Sequence, residues 1–498
     1  MHLLLSIAQL VPVPLRGLFP EILLSVAFLL GCVLEWGTDL RGKRLVVWFA
    51  AISTLSALLL AFFSAAPLRQ ESGASFSPDV ITQFVRVAVL SLATLVLLAL
   101  NGSKALDGRE EQGEAALLVL SVALGACLFA SARHLVALYL GLEFLSLSSY
   151  GLAGFRARDA RASEAGLKYV LYGGVASAVA LFGISHLWGI AGSFDAGEVG
   201  LALWNAPTAA AIPVLLVAVA FAYKLGMAPF HFWSPDVYQG CPTVPAGFLS
   251  TVPKIAAFGA FLHVVPHLVP SGALRLQPVQ VGSFLALVGA FSIAVGSATA
   301  LVQKDAKRIL AFSSTTNAGF MVLSFSTWLT YEGIAALGLM LLAYAAANLG
   351  AFLALDRLER DAGSTSLSDL AGSWKRNPAA VAALVICLSS LAGIPPLAGF
   401  AGKWAILAEV VRGSLDDGYG PALLVGVVAA LAGSVAIAAA YLRIVRATVA
   451  DDPASDPKVD GFRPAALSEL PYVLCALGSV ALAFGWPLLS WFRSRLGG

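Results

Sequence analysis

Apolar residues gather along this chain into stretches of about 20, each long enough to cross the hydrocarbon of a bilayer as a helix. The stretches lie near 18–36, 45–65, 81–100, 114–132, 135–155, 165–189, 207–232, 243–267, 279–302, 309–328, 332–355, 378–411, 420–442 and 467–491. That predicts fourteen transmembrane helices in an all-α polytopic membrane protein. Ala132-Arg133-His134 leaves room only for a very tight turn between the fourth and fifth. The twelfth stretch is too long for one straight crossing, so a break is expected inside it.

Composition supports the pattern. Of 498 residues, 59% are hydrophobic and 12% charged, and the mean hydropathy is +0.84. Soluble domains carry roughly 25% charge. A net charge of +2 gives no reason to expect nucleic acid as a partner. Cys32, Cys127, Cys241, Cys387 and Cys475 are widely spaced in or beside apolar runs, with no CxxC. They read as small buried hydrophobes rather than ligands of zinc or an iron–sulfur cluster. MHLLLSIAQLVPVPLRG lacks a basic start and an Ala-x-Ala site, and reads as a lead-in rather than a cleaved signal.

Charge then gives orientation. Of 31 Lys and Arg, nineteen fall in loops after odd-numbered stretches and seven on the other side. The positive-inside bias places the odd loops in the cytoplasm and both termini outside. The longest loops, near 356–377 and 443–466, are too small for a catalytic domain, so function is expected within the membrane.

Five basic residues remain inside stretches: Arg86, Lys168, Lys224, Lys254 and Lys403. Arg86 lies near a span end, where it can snorkel. Glu143 sits mid-span in LYLGLEFLSLSSYG. A charge at the membrane centre costs about 2.5–3.5 kcal/mol on the lenient insertion scale. Glu143 with the four lysines would cost on the order of 12–18 kcal/mol, comparable with the whole stability of a typical domain. An internal polar route explains that expense. Helix breaks add a second signal. In FAYKLGMAPFHFWSPDVYQG (221–240), Pro229 follows Lys224 and is expected to free the Leu225 carbonyl. In LAGIPPLAGFAGK (391–403), Pro395 and Pro396 precede Lys403 and are expected to free the carbonyls of Leu391 and Ala392 for water. Lys403 reads as the one buried charge of the second half. A broken span with an adjacent lysine in each half suggests a repeated transporter architecture.

PFHFWSPDVYQGCPTVPAGFLSTVPK (229–254), LYLGLEFLSLSSYGLAGF (138–155) and LAGIPPLAGFAGKW (391–404) resemble the antiporter-like membrane subunits of NADH:quinone oxidoreductase, respiratory complex I. The likeness runs from FPEILL (19–24) to the fourteenth stretch. PDVYQG (235–240), a lysine at 403 and the absence of a long lateral helix resemble subunit N more than its sisters M and L. The resemblance implies two inverted five-helix repeats, each with a broken helix. Their expected bounds are 113–270 and 271–446, after helices 1–3 in 1–112 and before a loop and last helix in 447–498. It further implies a proton relay of Glu143, Lys168, Lys224, Lys254 and Lys403, with His231 bridging toward Lys254. Three features depart from the family: Arg133-His134 before the fifth stretch, Pro253 directly before Lys254, and the CPTVP order at 241–245.

Lysines can lose a proton where arginines cannot, which suits a relay. Glu143 is the natural counter-charge for Lys224; the alternative is a static buried pair. Lys168 can instead snorkel, His231 can cap a helix, and Asp236 is expected to cap the short helix after the break. Ser313, Ser314, Thr315, Thr316 and Asn317 give the tenth stretch a face that can hold water or bond neighbouring helices. His186, His263 and His267 read as core or interface residues. No nucleotide loop or redox-ligand pattern is visible. The resemblance therefore assigns NADH, flavin, iron–sulfur clusters and quinone to partner subunits, in a complex of the bacterial inner (plasma) membrane. An Mrp-type cation/proton antiporter subunit or hydrogenase-linked homologue is the main alternative. One buried carboxylate against four lysines disfavours a Na⁺ site. An inert membrane scaffold is the third possibility, and the intact charges argue against it.

Overall fold

The computed structural model describes residues 17–37, 43–63, 76, 79–100, 109–156, 159–269, 278–327, 330–415, 420–449, 469–485 and 490. Without water, a segment must close its own backbone hydrogen bonds, and the helix is the local solution. Among the described residues there are seventeen α-helices, two 3-10 turns and no strand. In chain order they are α1 (Phe19–Gly37), α2 (Lys43–Phe63), α3 (Val80–Leu100), α4 (Arg109–Ser131), α5 (Leu135–Ala153), α6 (Ala160–Ala191), α7 (Ala196–Asn205), α8 (Pro207–Leu225) and α9 (Trp233–Gly240). There follow α10 (Thr243–Leu268), α11 (Pro278–Val302), α12 (Ala306–Leu323), α13 (Tyr331–Ala362), α14 (Pro378–Ala392), α15 (Ala398–Leu415), α16 (Gly420–Val449) and α17 (Leu470–Ala481).

Among the described residues ten helices are long and apolar enough to cross a membrane: α1 to α6, α10, α11, α13 and α16. The other predicted stretches hold shorter apolar helices (α8, α14, α17) or, in α12, a helix carrying the Ser-Ser-Thr-Thr-Asn run. The tight turn at 132–134 is present, with His134 as the N-cap of α5. The termini, with Arg16 and Arg493, and the internal position Arg69 lie outside the described residues.

Burial defines the centre. α4, α10 and α13 have 83%, 83% and 89% of their apolar segments buried, against 28% for α1 and for α16. Polar groups within the apolar segments of α10 and α13, such as Lys254 and Asn348, face protein, whereas α1 and α16 expose apolar side chains such as Leu29, Val33, Val428 and Val435. Cys127, Cys241, Cys387 and Cys475 are buried as expected; Cys32 is exposed on α1, contrary to expectation.

Two helix ends share one design. α8 stops at Leu225, and Gly226 follows with φ +66°. α14 stops at Ala392, and Gly393 follows with φ +87°. Left-handed backbone is open to glycine at no steric cost. The closing bonds match: Gly226 N–H to Tyr223 O and Met227 N–H to Ala222 O, then Gly393 N–H to Ser390 O and Ile394 N–H to Ser389 O. Both predicted breaks exist, but the prolines follow these caps. The carbonyls of Leu225, Leu391 and Ala392 are free because each helix ends there.

Candidate functional site: three buried lysines

Lys224 lies in the last turn of α8 and is 1% exposed. Its Nζ donates to Ser146 Oγ on α5 at 2.9 Å and sits 5.9 Å from the Tyr169 ring centroid. Glu143 is one turn earlier on α5, half-buried, and its Oε1 is enclosed with no hydrogen-bond partner. No ion pair within 4.0 Å joins Glu143 to Lys224 among the described residues, so the expected direct pair is replaced by a hydroxyl contact. The start of α9 is pinned beside them. Trp233 Nε1 donates to Tyr223 O at 3.2 Å, and its ring stacks on Tyr169 at 4.5 Å.

Lys254, on α10, is 2% exposed. Its Nζ donates to Leu225 O at 2.6 Å and to Ser314 O at 3.0 Å. The Leu225 carbonyl, one residue after Lys224, thus serves Lys254, and α10 runs on through Pro253. His231 lies in the break between α8 and α9, 5% exposed, with its Nδ1 unpartnered and its ring near Phe312 of α12. Lys403, on α15, is 5% exposed. It donates to Leu391 O at 2.7 Å and Ala392 O at 3.2 Å, with Nζ 4.8 Å from the Phe320 ring centroid. The carbonyls expected to hold water are taken by the lysine itself.

All three lysines thus touch neutral acceptors. Lys168 is different. Its side chain is 36% exposed and pairs with Glu164 at 2.6 Å and Asp236 at 2.7 Å. Asp236 also accepts from Arg308 at 2.7 Å, so it ties α6, α9 and α12 together. It does not cap α9, whose N-cap is Phe232. The polar face of α12 is buried and bonds its neighbours: Ser313 meets Tyr441 on α16, and Ser314 Oγ lies 2.8 Å from Tyr344 OH on α13.

Other charges are buried that the sequence placed elsewhere. Lys307, read as a loop residue, is 4% exposed and donates to Cys241 O at 2.9 Å and Thr243 Oγ1 at 3.0 Å. Asp356 is 2% exposed and pairs with Arg360. Lys403 is therefore not the one buried charge of the second half. Both residues sit within two positions of a predicted stretch, at 309 and 355, and one more helical turn on each stretch would have included them. Arg86 does not snorkel: at 3% exposure it donates to Glu21 Oε1 at 2.6 Å and Gly17 O at 2.7 Å. His263 is buried between Ala130 O at 2.6 Å and Asp79 at 2.7 Å, whereas His186 is exposed on α6. No group of three or more His, Cys, Asp or Glu suited to a metal ion occurs among the described residues.

Residues 132–430 match the family described as NADH:quinone oxidoreductase/Mrp antiporter, transmembrane. The chain is 35% identical over 489 residues to NAD(P)H-quinone oxidoreductase subunit 2 of Synechococcus sp. (strain WH7803), covering 95% of this chain and 90% of that one. It is 36% identical over 412 residues to NADH-quinone oxidoreductase subunit N of Anaeromyxobacter sp. (strain Fw109-5), covering 78% of each. Among solved structures, a chain of respiratory complex I from Thermus thermophilus superposes with a TM-score of 0.75 at 32% identity, covering 94% of this chain and 98% of that one. A chain of the Mrp complex from Dietzia sp. DQ12-45-1b superposes at 0.80 but at 20% identity, covering 97% and 96%, a likeness of fold. With the family matched across more than half its length and relatives above 30% identity covering most of it, this multi-span membrane chain belongs to the NADH:quinone oxidoreductase/Mrp antiporter family.

Proposed function

We propose that this chain is subunit N of a proton-translocating NADH:quinone oxidoreductase, and that Glu143, Lys224, His231, Lys254 and Lys403 form its proton relay. The observation that carries the relay is the neutral surroundings of three lysines, each 5% exposed or less. A static buried cation is normally held by a carboxylate, because an unpaired charge in low dielectric is costly. A lysine held by hydroxyl and carbonyl oxygens tolerates losing and regaining its proton, which is what a carrier must do. Lys168 acts at the edge of this route, steadying α9 through Asp236.

The same reading takes fourteen crossings: the ten long helices, α12, α17, α8 with its break, and the broken pair α14–α15. It takes two inverted five-helix repeats at 113–270 and 271–446, flanked by 1–112 and 447–498, with both termini on the outer face of the inner membrane. NADH oxidation, flavin, iron–sulfur clusters and quinone reduction belong to partner subunits, and neighbouring antiporter-like and small membrane subunits complete the arm. The test compares Lys254→Arg with the parent in the whole complex, reconstituted in vesicles. Arginine keeps the charge and loses the titration. We expect assembly and lost proton uptake; normal uptake per NADH overturns the relay. Copurifying subunits with flavin and iron–sulfur absorbance separate this reading from an Mrp-type antiporter, which would purify without them.

A further inference from the structure

α10 and α13 pack antiparallel. Thr243 meets Glu359, Gly247 faces Phe352, and Ser250 meets Asn348 and Tyr344. On α13 four residues recur every four positions on this face: Tyr344, Asn348, Phe352 and Asp356, at rises of about 6 Å. Three are polar and buried. Tyr344 OH donates to Ser250 O at 3.0 Å and lies 2.8 Å from Ser314 Oγ, while the Ser314 carbonyl accepts from Lys254 Nζ at 3.0 Å. Asn348 Nδ2 donates to Ser250 Oγ at 2.5 Å.

Two oxygens on this face have no partner, Asn348 Oδ1 and Asp356 Oδ1, and both are enclosed. They flank Phe352. Burying an unsatisfied polar atom costs about 1–3 kcal/mol, so a pair of them around one apolar ring calls for a reason beyond packing. Asp356 also lines a cavity of about one water molecule, with Arg357, Arg360, Glu469 and Tyr472. Phe352 fills the gap that Gly247 leaves on α10, where a Cβ would lie 2.7 Å from the Phe352 Cβ, and its ring meets Tyr238 edge-on at 6.1 Å.

We propose that Asp356 collects protons for Lys254 through a lane along α13, and that Phe352 is the dry element that closes it. This rests on the relay proposed above. The Asp356 carboxylate takes a proton that the cavity water relays from outside solvent, the water giving one up and regaining one. When Phe352 turns aside, water joins the two unpartnered oxygens. That water and the hydroxyls of Tyr344 and Ser314 each accept one proton and release one. The neutral Lys254 amine, whose contact with Ser314 is to the backbone carbonyl, takes the last through a further water, so one proton moves and nothing else changes. Arg360 keeps the emptied carboxylate charged and ready.

The experiment measures proton uptake during NADH oxidation by the whole complex in vesicles, at equal complex content. Asp356→Asn and Asn348→Leu are each expected to lower coupled uptake by on the order of tenfold or more, as for loss of a positioned proton-transfer group. Asp356→Glu is expected to restore it, which a merely structural carboxylate of fixed length would not do. Asn348→Leu keeps every charge, so it reports on the lane even if Asp356→Asn fails to assemble. An assembled Asn348→Leu complex pumping at the parental rate overturns the lane. So does failure of Asp356→Glu where Asp356→Asn is also slow. If Lys254→Arg is slow while Asn348→Leu is normal, the lane alone is wrong. If both are normal, the relay reading falls with it.

Discussion

Lys224 Nζ and Ser146 Oγ meet at 2.9 Å, one helical turn beyond Glu143 on the same face of α5. The hydroxyl accepts from the lysine and can pass a proton along α5 toward the carboxylate. Ser146→Ala is expected to slow coupled turnover with the complex assembled, and Ser146→Thr to keep it. Glu143→Gln should be at least as slow as Ser146→Ala. Vesicle proton uptake reads all three; a fully active Ser146→Ala removes the hydroxyl from the route.

Lys403 satisfies two carbonyls with one ammonium. Lys403→Met removes both bonds and leaves buried acceptors, at about 1–3 kcal/mol each. Lys403→Arg retains donors and charge but not titration. The methionine variant is expected to lower the thermal midpoint of the membrane arm, and the arginine variant to spare it while still losing proton uptake. Equal pumping by Lys403→Arg and parent would make this lysine a fixed charge only.

Asp236 lies beyond the 207–232 stretch and outside the ten long helices. Burial pushes its carboxyl up, and hydrogen bonds from Lys168 and Arg308 more than offset this, holding it below the usual carboxylate range. A depressed carboxyl contributes stability that is present above the ordinary pKa and lost as pH falls through its own lower one. The Tm difference between parent and Asp236→Asn should therefore hold from pH 8 to pH 5 and close only below about pH 4. Because these side chains are about a third exposed, the difference should be small and shrink with salt. A gap that closes near pH 6 would point to a histidine instead.

Glu21 and Arg86 join α1 to α3 in an enclosed pair at 2.6 Å. Removing one partner strands the other, at about 3–5 kcal/mol. Glu21→Ala is expected to cut the yield of assembled complex sharply, and Glu21→Met with Arg86→Met to recover part of it. Quantifying the subunit in purified complex checks this; a single variant as abundant as the parent would show the pair contributes nothing.

The two breaks and the three lysines beside them were legible in the sequence because lipid penalises charge and helix breakers alike. What each lysine touches was not. Proline arithmetic marked the Leu225 carbonyl as free but not its partner, and a helix crossing from 29 residues later delivers Lys254 to it. Lys168 looked alike in sequence, but its carboxylate partners were not visible there: Glu164 is one turn away and Asp236 is 68 residues on. Lys307 and Asp356 were hidden by a different error, where a hydropathy boundary drawn at the first charge excludes charges that packing encloses. Arg86 was misjudged because its partner, Glu21, sits 65 residues away in FPEILL, and no local pattern joins them.

The paired caps at Gly226 and Gly393 have an electrostatic consequence. A helix that stops carries a partial negative charge of about half an electron at its carbonyl end, from the alignment of its peptide dipoles. α8 points that end at Lys254, and α14 points its own at Lys403. The negative charge facing each ammonium is thus carried by the backbone carbonyls of a helix's last turn, so it does not reside on any side chain. Moving the stop by one residue would rotate the carbonyls away, so the charge balance of the site is written in the position of two glycines.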